Sequence, residues 1–558
     1  MIENKQTKSS SVMKGAMILS IGVLVSRIIG LLYRVPIRNI LGDEGNGIYG
    51  VAYNLYVVIL TLTAMAMPGA LSKLLAERRT VKAYREEQRV FKVAMIYSVG
   101  FATVMSILLW IFADAINSKM YPTMNVTLPL RALAPTIVIA TFLGVFRGYF
   151  QGRQNMVPTA LSQVIEQIFN VIFSVVLAYA FMKMMIGDPS QLEWGATGSA
   201  LGTGVGAVAG FIVLIIMFMM SRKETKRELQ ESTEYKDEST GTILKQILAM
   251  MIPVIISSSI FSITTAIDQS MISKSLGASI EALRNENMLN YVPIAEAPVM
   301  STDSIVRSLS GILSFQYMTF LNIPVSLILQ IGLASIPAIS AANKQGNLSD
   351  VQDKTKMILK VGLLIAAPCA FAFIFFAAPI LKLLTGDVSG AEVLSAGAVA
   401  IIPIAVAQVS AGILQGITKQ TVPTVNAIIA CAIKIAINFV ALAFPKLNIY
   451  GFVHSSTVCY IIYAVLNMVS IQKNLKLRIN WANLLIKPTI CSAIMGILSY
   501  GVYRLILMTG VGMRISIIIV IPIAVVIYLV IGILSKTITR EDMLSIPGGS
   551  KLVKLLKM

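Results

Sequence analysis

RGYFQGRQNMVPT (residues 147–159) and AGILQGITKQTVPT (residues 411–424) are two copies of one motif in a single chain. The shared positions, the last of them after a one-residue insertion, include Gly148 with Gly412, Gln151 with Gln415, Gly152 with Gly416 and Pro158 with Pro423. A second match pairs MAMPGALSKLLAE (65–77) with LASIPAISAANKQ (333–345) through a common proline. The copies lie 264 to 269 residues apart, so the chain contains a long internal repeat.

The composition indicates that the chain is embedded in a lipid bilayer. Of the 558 residues, 56% are hydrophobic and 13% are charged, whereas about 25% of a soluble domain is charged. Apolar runs of roughly 20 residues, each long enough to cross a bilayer, recur along the whole chain. They predict about fourteen spans, at 14–41, 47–72, 91–113, 128–149, 158–184, 194–221, 244–274, 305–341, 355–384, 391–416, 422–444, 449–471, 484–507 and 513–535.

The repeat offset corresponds to six spans. Because six is even, both copies have the same orientation, as in parallel repeats related by an axis along the membrane normal. We therefore expect an all-α integral membrane protein with two six-helix bundles and two additional C-terminal helices, which is a transporter layout. The predicted parts are an N-terminal bundle (1–221), a cytoplasmic linker (222–243), a C-terminal bundle (244–472), two additional spans (473–536) and a basic tail (537–558).

The formal charge of +19 is explained by the membrane. Lys and Arg lie mainly in the loops after even-numbered spans, so both termini are expected in the cytoplasm. The basic residues form no soluble domain, and no nucleic acid partner is expected. The first apolar segment lacks a small-x-small cleavage site, which favours an uncleaved first helix. The expected partners are the lipid bilayer and a transported substrate, and the expected oligomeric state is a monomer.

Three arginines interrupt the first span. Arg34 and Arg38 follow Arg27 by 7 and 11 residues. On a helix, both side chains therefore return to within ~20° of the direction of Arg27. A central Arg costs about 2.5–3.5 kcal/mol even on the lenient insertion scale. A stripe of guanidinium groups facing a cavity suits a phosphate or pyrophosphate, which it binds bidentately. Two alternatives stay open: Arg38 extends to the outer interface, and Arg34 pairs with a carboxylate.

Span five carries a polar face inside the membrane. Its members recur at helical spacing and are Gln163, Glu166, Gln167 and Asn170. Hydrogen bonding between helices is one explanation. Glu166 requires more, because a buried carboxylate needs a base or a proton. We therefore predict that Gln163, Glu166 and Gln167 contribute to substrate binding, with the alternative that Glu166 is structural.

Later spans supply further charges. Span seven contains Asp268, and span eight begins near Arg307, which we add to the predicted substrate-binding residues. Span eleven contains Lys434 with Asn438 one turn on. Lys434 is either the ion-pair partner of Asp268 or forms a cation-responsive switch with it. We predict a coupling or gating role for Asp268, Lys434 and Asn438.

Enzyme chemistry is not expected. The chain has no P-loop, no HExxH motif and no nucleophile elbow, and its four cysteines lie in apolar runs without metal-ligand spacing. No cofactor and no metal is therefore predicted. The glycine-rich GATGSALGTGVGAVAG (195–210) has small-xxx-small spacing, which predicts that span six packs closely on a neighbouring helix.

Four motifs resemble a known family. LGDEGNGIYG (41–50), MPGALSKLLAE (67–77), FQGRQNMVPT (150–159) and IPAISAANKQGN (336–347) are similar to segments of the SpoVB/YtgP-type polysaccharide biosynthesis proteins. These belong to the multidrug/oligosaccharidyl-lipid/polysaccharide (MOP) exporter superfamily, whose MurJ-type branch contains lipid II flippases. The resemblance covers nearly the whole chain, including the span count and the repeat.

The resemblance implies a function in the bacterial plasma membrane. It implies export of an undecaprenyl-pyrophosphate-linked glycan, with the peptidoglycan precursor lipid II as first candidate, from the inner to the outer leaflet by alternating access. The MurJ pattern matches Ser26-Arg27, nearly matches Arg34 and loosely matches Arg307. Some MurJ proteins have a sodium site in spans seven and eleven, but Lys434 stands in span eleven here. The alternatives are a flippase for another lipid-linked polysaccharide, a drug or cation antiporter and a non-transporting scaffold for envelope assembly.

Overall fold

The computed structural model describes residues 22, 25–26, 29–30, 33–233 and 238–540. Within these ranges the secondary structure is helical, without strands, and 13 helical segments are long and apolar enough to cross a membrane. The fold class predicted from the sequence is confirmed. Most of the first predicted span (14–41) lies outside the described residues, and so does Arg27.

The helices are numbered here in chain order. They are α1 Arg34–Leu60, α2 Met67–Thr80, α3 Tyr84–Met120, α4 Thr127–Gly152, α5 Val157–Met184, α6 Gln191–Met220, α7 Arg222–Gln230, α8 Thr240–Met271, α9 Gly277–Asn285, α10 Thr302–Gly311, α11 Met318–Lys344, α12 Leu348–Leu384, α13 Ala391–Gly397, α14 Ile401–Gly416, α15 Thr421–Leu442, α16 Asn448–Leu475, α17 Lys487–Met508 and α18 Met513–Leu534. Several are continued by π-helical turns, at Thr61–Met65, Ile272–Leu276, Ile312–Tyr317 and Ala482–Ile486.

The repeated motif forms the same turn twice. After α4, Gln154 has φ of 61°, and after α14 the aligned Thr418 has φ of 62°. In both copies the next residue's N–H reaches the carbonyl five residues back, Asn155 to Phe150 at 3.0 Å and Lys419 to Leu414 at 2.8 Å. This is a Schellman motif, which satisfies the last carbonyls of a helix. Both copies of the repeated motif therefore end their helix with the same turn.

The described residues of 1–277 and 303–311 form one compact unit, and those of 278–302 and 312–540 form a second. Helix α8 belongs to the first unit because it packs on α1, α2 and α3. The sequence-based division instead assigns α8 to the second bundle. That division follows the repeat rather than proximity, and the predicted bundles remain a prediction.

Three segments predicted to lie between spans are more helical than expected. The segment 41–47 was predicted to separate two spans, but only Gly42 leaves the helix, with φ of 64° and ψ of −174°, and helical structure resumes at Asp43. This conformation is readily adopted only by glycine. The predicted linker 222–243 contains α7, and the stretch 275–304 contains α9 and two short 3₁₀ turns.

Candidate functional site

Arg38 forms an ion pair across the break in α1. Its Nε lies 3.1 Å from Asp43 Oδ1, and its Nη2 lies 3.3 Å from Oδ2. The guanidinium is therefore bound bidentately by the first residue beyond Gly42, and both side chains are largely buried. Arg38 does not have to extend to solvent to be stabilised, because Gly42 turns a carboxylate toward it.

Arg307, at the start of the predicted span eight, pairs with the neighbouring carboxylate of α1. Its Nε and Nη2 both lie 3.1 Å from Glu44 Oε2. The same guanidinium donates to the Thr123 carbonyl at 3.2 Å and to Ser304 Oγ at 3.3 Å. Asp43 and Glu44 thus each bind one of the arginines that the sequence had singled out as substrate ligands.

A close helix crossing holds this pair together. A Cβ added to Gly47 of α1 would lie 2.0 Å from the Arg307 carbonyl oxygen, and one added to Gly311 of α10 would lie 2.0 Å from the Asp43 carbonyl oxygen. No side chain fits at either position. Gly47 of LGDEGNG therefore permits backbone contact between α1 and α10, whereas Gly42 of the same motif bends the chain.

Glu166 of α5 has the basic partner that its burial requires. Arg147 Nη2 lies 2.6 Å from Glu166 Oε2, and Arg147 Nε donates to Ser162 Oγ at 3.1 Å. Arg147 was not among the predicted site residues, although it is the first residue of the repeat motif. The sequence does contain a clue to this pair: Glu166 is a carboxylate inside a predicted span, and Arg147 lies 19 residues before it on the preceding span.

The other predicted residues of α5 have different surroundings. Gln163 Oε1 is buried without a hydrogen-bond partner. Gln167 lies beside the first predicted span, because its Oε1 would be 3.3 Å from a Cβ added to Gly30. Asn170 accepts from Ser174 Oγ at 2.9 Å. The polar face of α5 thus contains one ion pair, one structural amide and two amides adjacent to them.

Helix α6 packs on α5 through a ridge of glycines, as its spacing predicted. A Cβ added at any of four positions one helical turn apart would lie within 3.1 Å of α5; these are Gly198, Gly202, Gly206 and Gly210. Two of the contacted atoms belong to Glu166, its backbone oxygen and its Cβ. This close packing fixes the part of α5 that carries the Arg147–Glu166 pair.

Three tyrosines of α1 lie next to one another along the helix. The rings of Tyr49, Tyr53 and Tyr56 follow one another at centroid distances of 5.7 and 5.8 Å. The Tyr53 hydroxyl is within electrostatic reach of both Arg34 and Glu166, and 37% of the side chain is exposed. Arg34, Tyr53 and Glu166 therefore belong to one region of the first unit.

The three predicted coupling residues are all buried. Asp268 lies in the first unit beside Gln269, whose Oε1 accepts from Ser310 Oγ at 2.5 Å. Lys434 and Asn438 lie in the second unit, where Asn438 accepts from the Ser455 hydroxyl. Their coupling remains a prediction. In the part of the chain that the structure describes, no three His, Cys, Asp or Glu side chains converge on a possible metal position.

An apolar groove lies beside the C-terminal helices of the second unit. Its volume is about 330 Å³, and its lining comes from α14, α16, α17 and the π turn before α17. The lining residues are Val399, Ile402, Pro403, Thr457, Ile461, Leu485, Ile486, Thr489 and Ile490. The only polar side chains among them are two threonines, so the groove suits a hydrocarbon chain.

These features define a multi-pass helical membrane protein of the transporter type with charged side chains inside its first unit. The fold is that of the MOP superfamily: the structure "Lipid II flippase MurJ, inward closed conformation" matches with a TM-score of 0.66 at 15% identity, covering 93% of this chain and 99% of that one. An inward-facing MATE family transporter matches with a TM-score of 0.62 at 15% identity, covering 83% and 98%.

The family follows from the sequence comparisons. The model "Polysaccharide biosynthesis protein" matches residues 12–343, and the model "Lipid II flippase MurJ" matches residues 307–532. The chain belongs to the polysaccharide biosynthesis protein family, which confirms the resemblance found in the sequence. Stage V sporulation protein B of Bacillus subtilis (strain 168) is 24% identical over 550 residues, or 97% of this chain and 98% of the relative. Lipid II flippase MurJ of the same organism is 23% identical over 443 residues, or 77% of each chain.

Proposed function

We propose that this protein is a flippase for an undecaprenyl-pyrophosphate-linked glycan, and that the glycan is the peptidoglycan precursor lipid II. The observation that carries the proposal is the charged region of the first unit, where guanidinium groups stand among membrane-spanning helices of a polysaccharide biosynthesis family member. Such groups bind pyrophosphate oxygens bidentately and are costly to keep in a bilayer without an anionic partner. The relatives named lipid II flippase support the substrate.

The proposal gives the arginines two roles. Arg27 and Arg34 bind the pyrophosphate, while Arg38 and Arg307 exchange a carboxylate for it. Asp43 and Glu44 bind these two guanidiniums in the structure at 3.1 Å, so each arginine has an anionic partner before and after a phosphate replaces the carboxylate. The released carboxylates, whose side chains are 19% and 25% exposed, then have to be hydrated or protonated. A buried guanidinium that keeps an anionic partner avoids the large free-energy cost of an unpaired buried charge.

The glycan needs polar and aromatic surface next to the pyrophosphate. Glu166, Gln163 and Gln167 supply acceptors and donors, and the half-exposed ring of Tyr53 supplies a flat apolar face with a polar tip. The buried Gln163 Oε1 has no hydrogen-bond partner among the residues that the structure describes, which leaves it able to accept from a sugar hydroxyl. The apolar groove of the second unit, about 330 Å³ in volume, is large enough for part of a hydrocarbon chain.

Transport then proceeds by alternating access in a monomer with both termini in the cytoplasm. The membrane potential acts on the cationic region with about 2.3 kcal/mol per charge per 100 mV, which is enough to reset an empty site. Asp268, Lys434 and Asn438 serve as the coupling or gating set, with the Lys434 ammonium in place of a bound cation.

Complementation tests the substrate and the site together. The wild-type chain is expressed in a strain depleted of its lipid II flippase, beside Arg27→Ala, Arg27→Lys, Arg34→Ala and Arg34→Lys at matched membrane levels. We expect the wild type to restore growth and all four variants to fail, because lysine provides no planar fork. Arg131→Ala is the control, since the Arg131–Asp114 pair is substantially exposed.

Each failure has a distinct meaning. A wild type that reaches the membrane but does not restore growth contradicts lipid II as the substrate and favours another lipid-linked glycan. Growth with Arg34→Ala contradicts pyrophosphate binding by Arg34, although rescue by the wild type would still support lipid II as the substrate. A scaffold would tolerate replacement of both partners of an ion pair by apolar residues.

A further inference from the structure

The segment between α6 and α8, predicted as a linker, is attached to the loop between α2 and α3. Thr233 N donates to the Lys82 carbonyl at 3.1 Å, and Thr233 Oγ1 donates to the Val81 carbonyl at 2.7 Å. Arg85 N donates to Ser232 Oγ at 3.1 Å. These bonds run backbone to backbone or side chain to backbone along one stretch of the loop. The described part of the segment is thus bound along its length.

Helix α7 adds a carboxylate that bridges two arginines. Glu228 forms ion pairs with Arg79 of α2 and with Arg153 at the end of α4. Arg153 also donates to Thr225 Oγ1 at 2.9 Å, so two residues of α7 contact it. Only 7% of the Arg153 side chain is exposed. The contact with α7 therefore removes much of its hydration.

A second carboxylate lies beneath this bridge. Glu87 of α3 is 1% exposed and pairs with Arg79 at 3.0 Å and with Arg153 at 3.7 Å. Two guanidiniums therefore face two carboxylates, and α7 contributes one of the four charges. Without Glu228 the two arginines would share a single carboxylate in a largely buried site. Removal of one partner from such a site is strongly destabilising, unlike removal from an exposed pair.

The far end of the segment is anchored separately. Arg78 of α2 is 3% exposed, and its Nη2 lies 2.5 Å from Glu238 Oε2 and 2.7 Å from Gln246 Oε1. Gln246 belongs to α8 and donates to Glu238 Oε1 at 3.0 Å. Three side chains from α2, the segment and α8 thus bond one another. The second turn of α8 is tied to α2 through Glu238.

We propose that residues 222–233 and 238–243 form a rigid brace that stays docked throughout the transport cycle and positions the start of α8. Glu228 and Glu238 are its positioning residues. The inference is independent of which glycan is transported, because it concerns attachment of the segment to α2, α3 and α4. It adds to the sequence-based expectation of a cytoplasmic linker at 222–243, which left open whether the segment is docked.

Limited proteolysis of the purified full-length protein in nanodiscs tests the docking. Helix α7 contains four trypsin sites, at Arg222, Lys223, Lys226 and Arg227. We expect slow cleavage of the wild type and cleavage at least about tenfold faster in Glu228→Gln and Glu238→Gln, a factor that corresponds to ~1.4 kcal/mol of docking free energy. Glu231→Gln is the matched control, because the Glu231–Arg227 pair on the same helix is exposed. Equal rates in all four proteins would overturn the proposal.

A cross-link tests whether the brace remains docked during transport and does not depend on the carboxylate variants folding. The chain with Arg85→Cys and Ser232→Cys is treated in cells with a short thiol cross-linker and assayed for complementation. We expect growth to match that of the single-cysteine variants. Loss of growth only in the cross-linked double variant would show that the segment must undock, and would overturn the brace while leaving the proposed transport intact. If the wild type fails to complement, the proteolysis result still decides the docking.

Discussion

The two copies of the repeat have one backbone and different chemistry. Gln154 and Thr418 take the same left-handed conformation, and the hydrogen bonds around them correspond one to one. Yet Arg147 and Arg153 of the first copy align with Ala411 and Ile417 of the second. The first copy therefore supports two ion-pair networks, through Glu166 and Glu228, that the second copy does not build at the aligned positions.

The difference separates fold from function. The copies share the helix-terminal turn and a glycine that faces a neighbouring helix, α2 in the first copy and α11 in the second. Both features serve helix packing. What they do not share is charge. A site for an anionic substrate in the first unit needs only side chains added to an existing backbone, as when function is built on a common fold.

The largest effect is expected at the shared glycine of the second copy. A Cβ on Gly412 would lie 2.4 Å from the Gly332 carbonyl oxygen of α11, so Gly412→Ala should force the helices apart and destabilise the protein by about 1–3 kcal/mol. Thermal unfolding in detergent measures this. In the first copy, Gly148→Ala should cost less, because its nearest neighbour is the Leu71 side chain at 3.0 Å. Gly69→Ala meets nothing within 4 Å; an equal loss there would contradict the packing argument.

The next effect sharpens the difference between the copies. Arg147→Ala leaves Glu166 without its base, and because the side chains are 15% and 25% exposed we expect a loss of stability of about 1–2 kcal/mol, below that of a fully buried pair. Arg131→Ala on the same helix should cost less than about 0.5 kcal/mol, because Asp114 is 67% exposed. Thermal unfolding of both variants gives the comparison. Similar losses would mean that the Arg147–Glu166 pair is no stronger than a surface pair.

The smallest effect tests the shared turn. Gln154→Gly and Thr418→Gly each remove a side chain from a left-handed position, which relieves roughly 1 kcal/mol of backbone strain and adds a similar entropy cost in the unfolded chain. We expect changes of about 0.5 kcal/mol or less, of the same sign in both copies, by denaturant-induced unfolding. Opposite signs would show that the two turns are not equivalent.

The sequence predicted what depends on periodicity. Apolar runs and the repeat were sufficient for the helical membrane fold, and the glycine spacing of 195–210 was sufficient for the packing of α6 on α5. These features are local or recur at a fixed interval. Partner choice is not local, so Arg147 was missed although Glu166 was recognised as needing a base.

Two segments show the same limit. LGDEGNG was predicted to lie between two spans, but Gly47 permits contact with α10 and only Gly42 bends the chain. The segment 222–243 was predicted as a cytoplasmic linker, and the sequence did not show that arginines of α2 and at the end of α4 bind its Glu228 and Glu238. In both cases the amino-acid composition of a segment does not indicate which residues elsewhere in the chain it contacts.

The central claim is that arginines of the first unit bind the pyrophosphate of a lipid-linked glycan. The most direct measurement is transbilayer movement of fluorescent lipid II in proteoliposomes, read with a membrane-impermeant quencher. The account predicts rapid movement with the wild type, movement at least about tenfold slower with Arg34→Ala, equivalent to ~1.4 kcal/mol of activation free energy, and an unchanged rate with Arg131→Ala. Equal rates for the wild type and Arg34→Ala, or no movement with folded wild type, would contradict it.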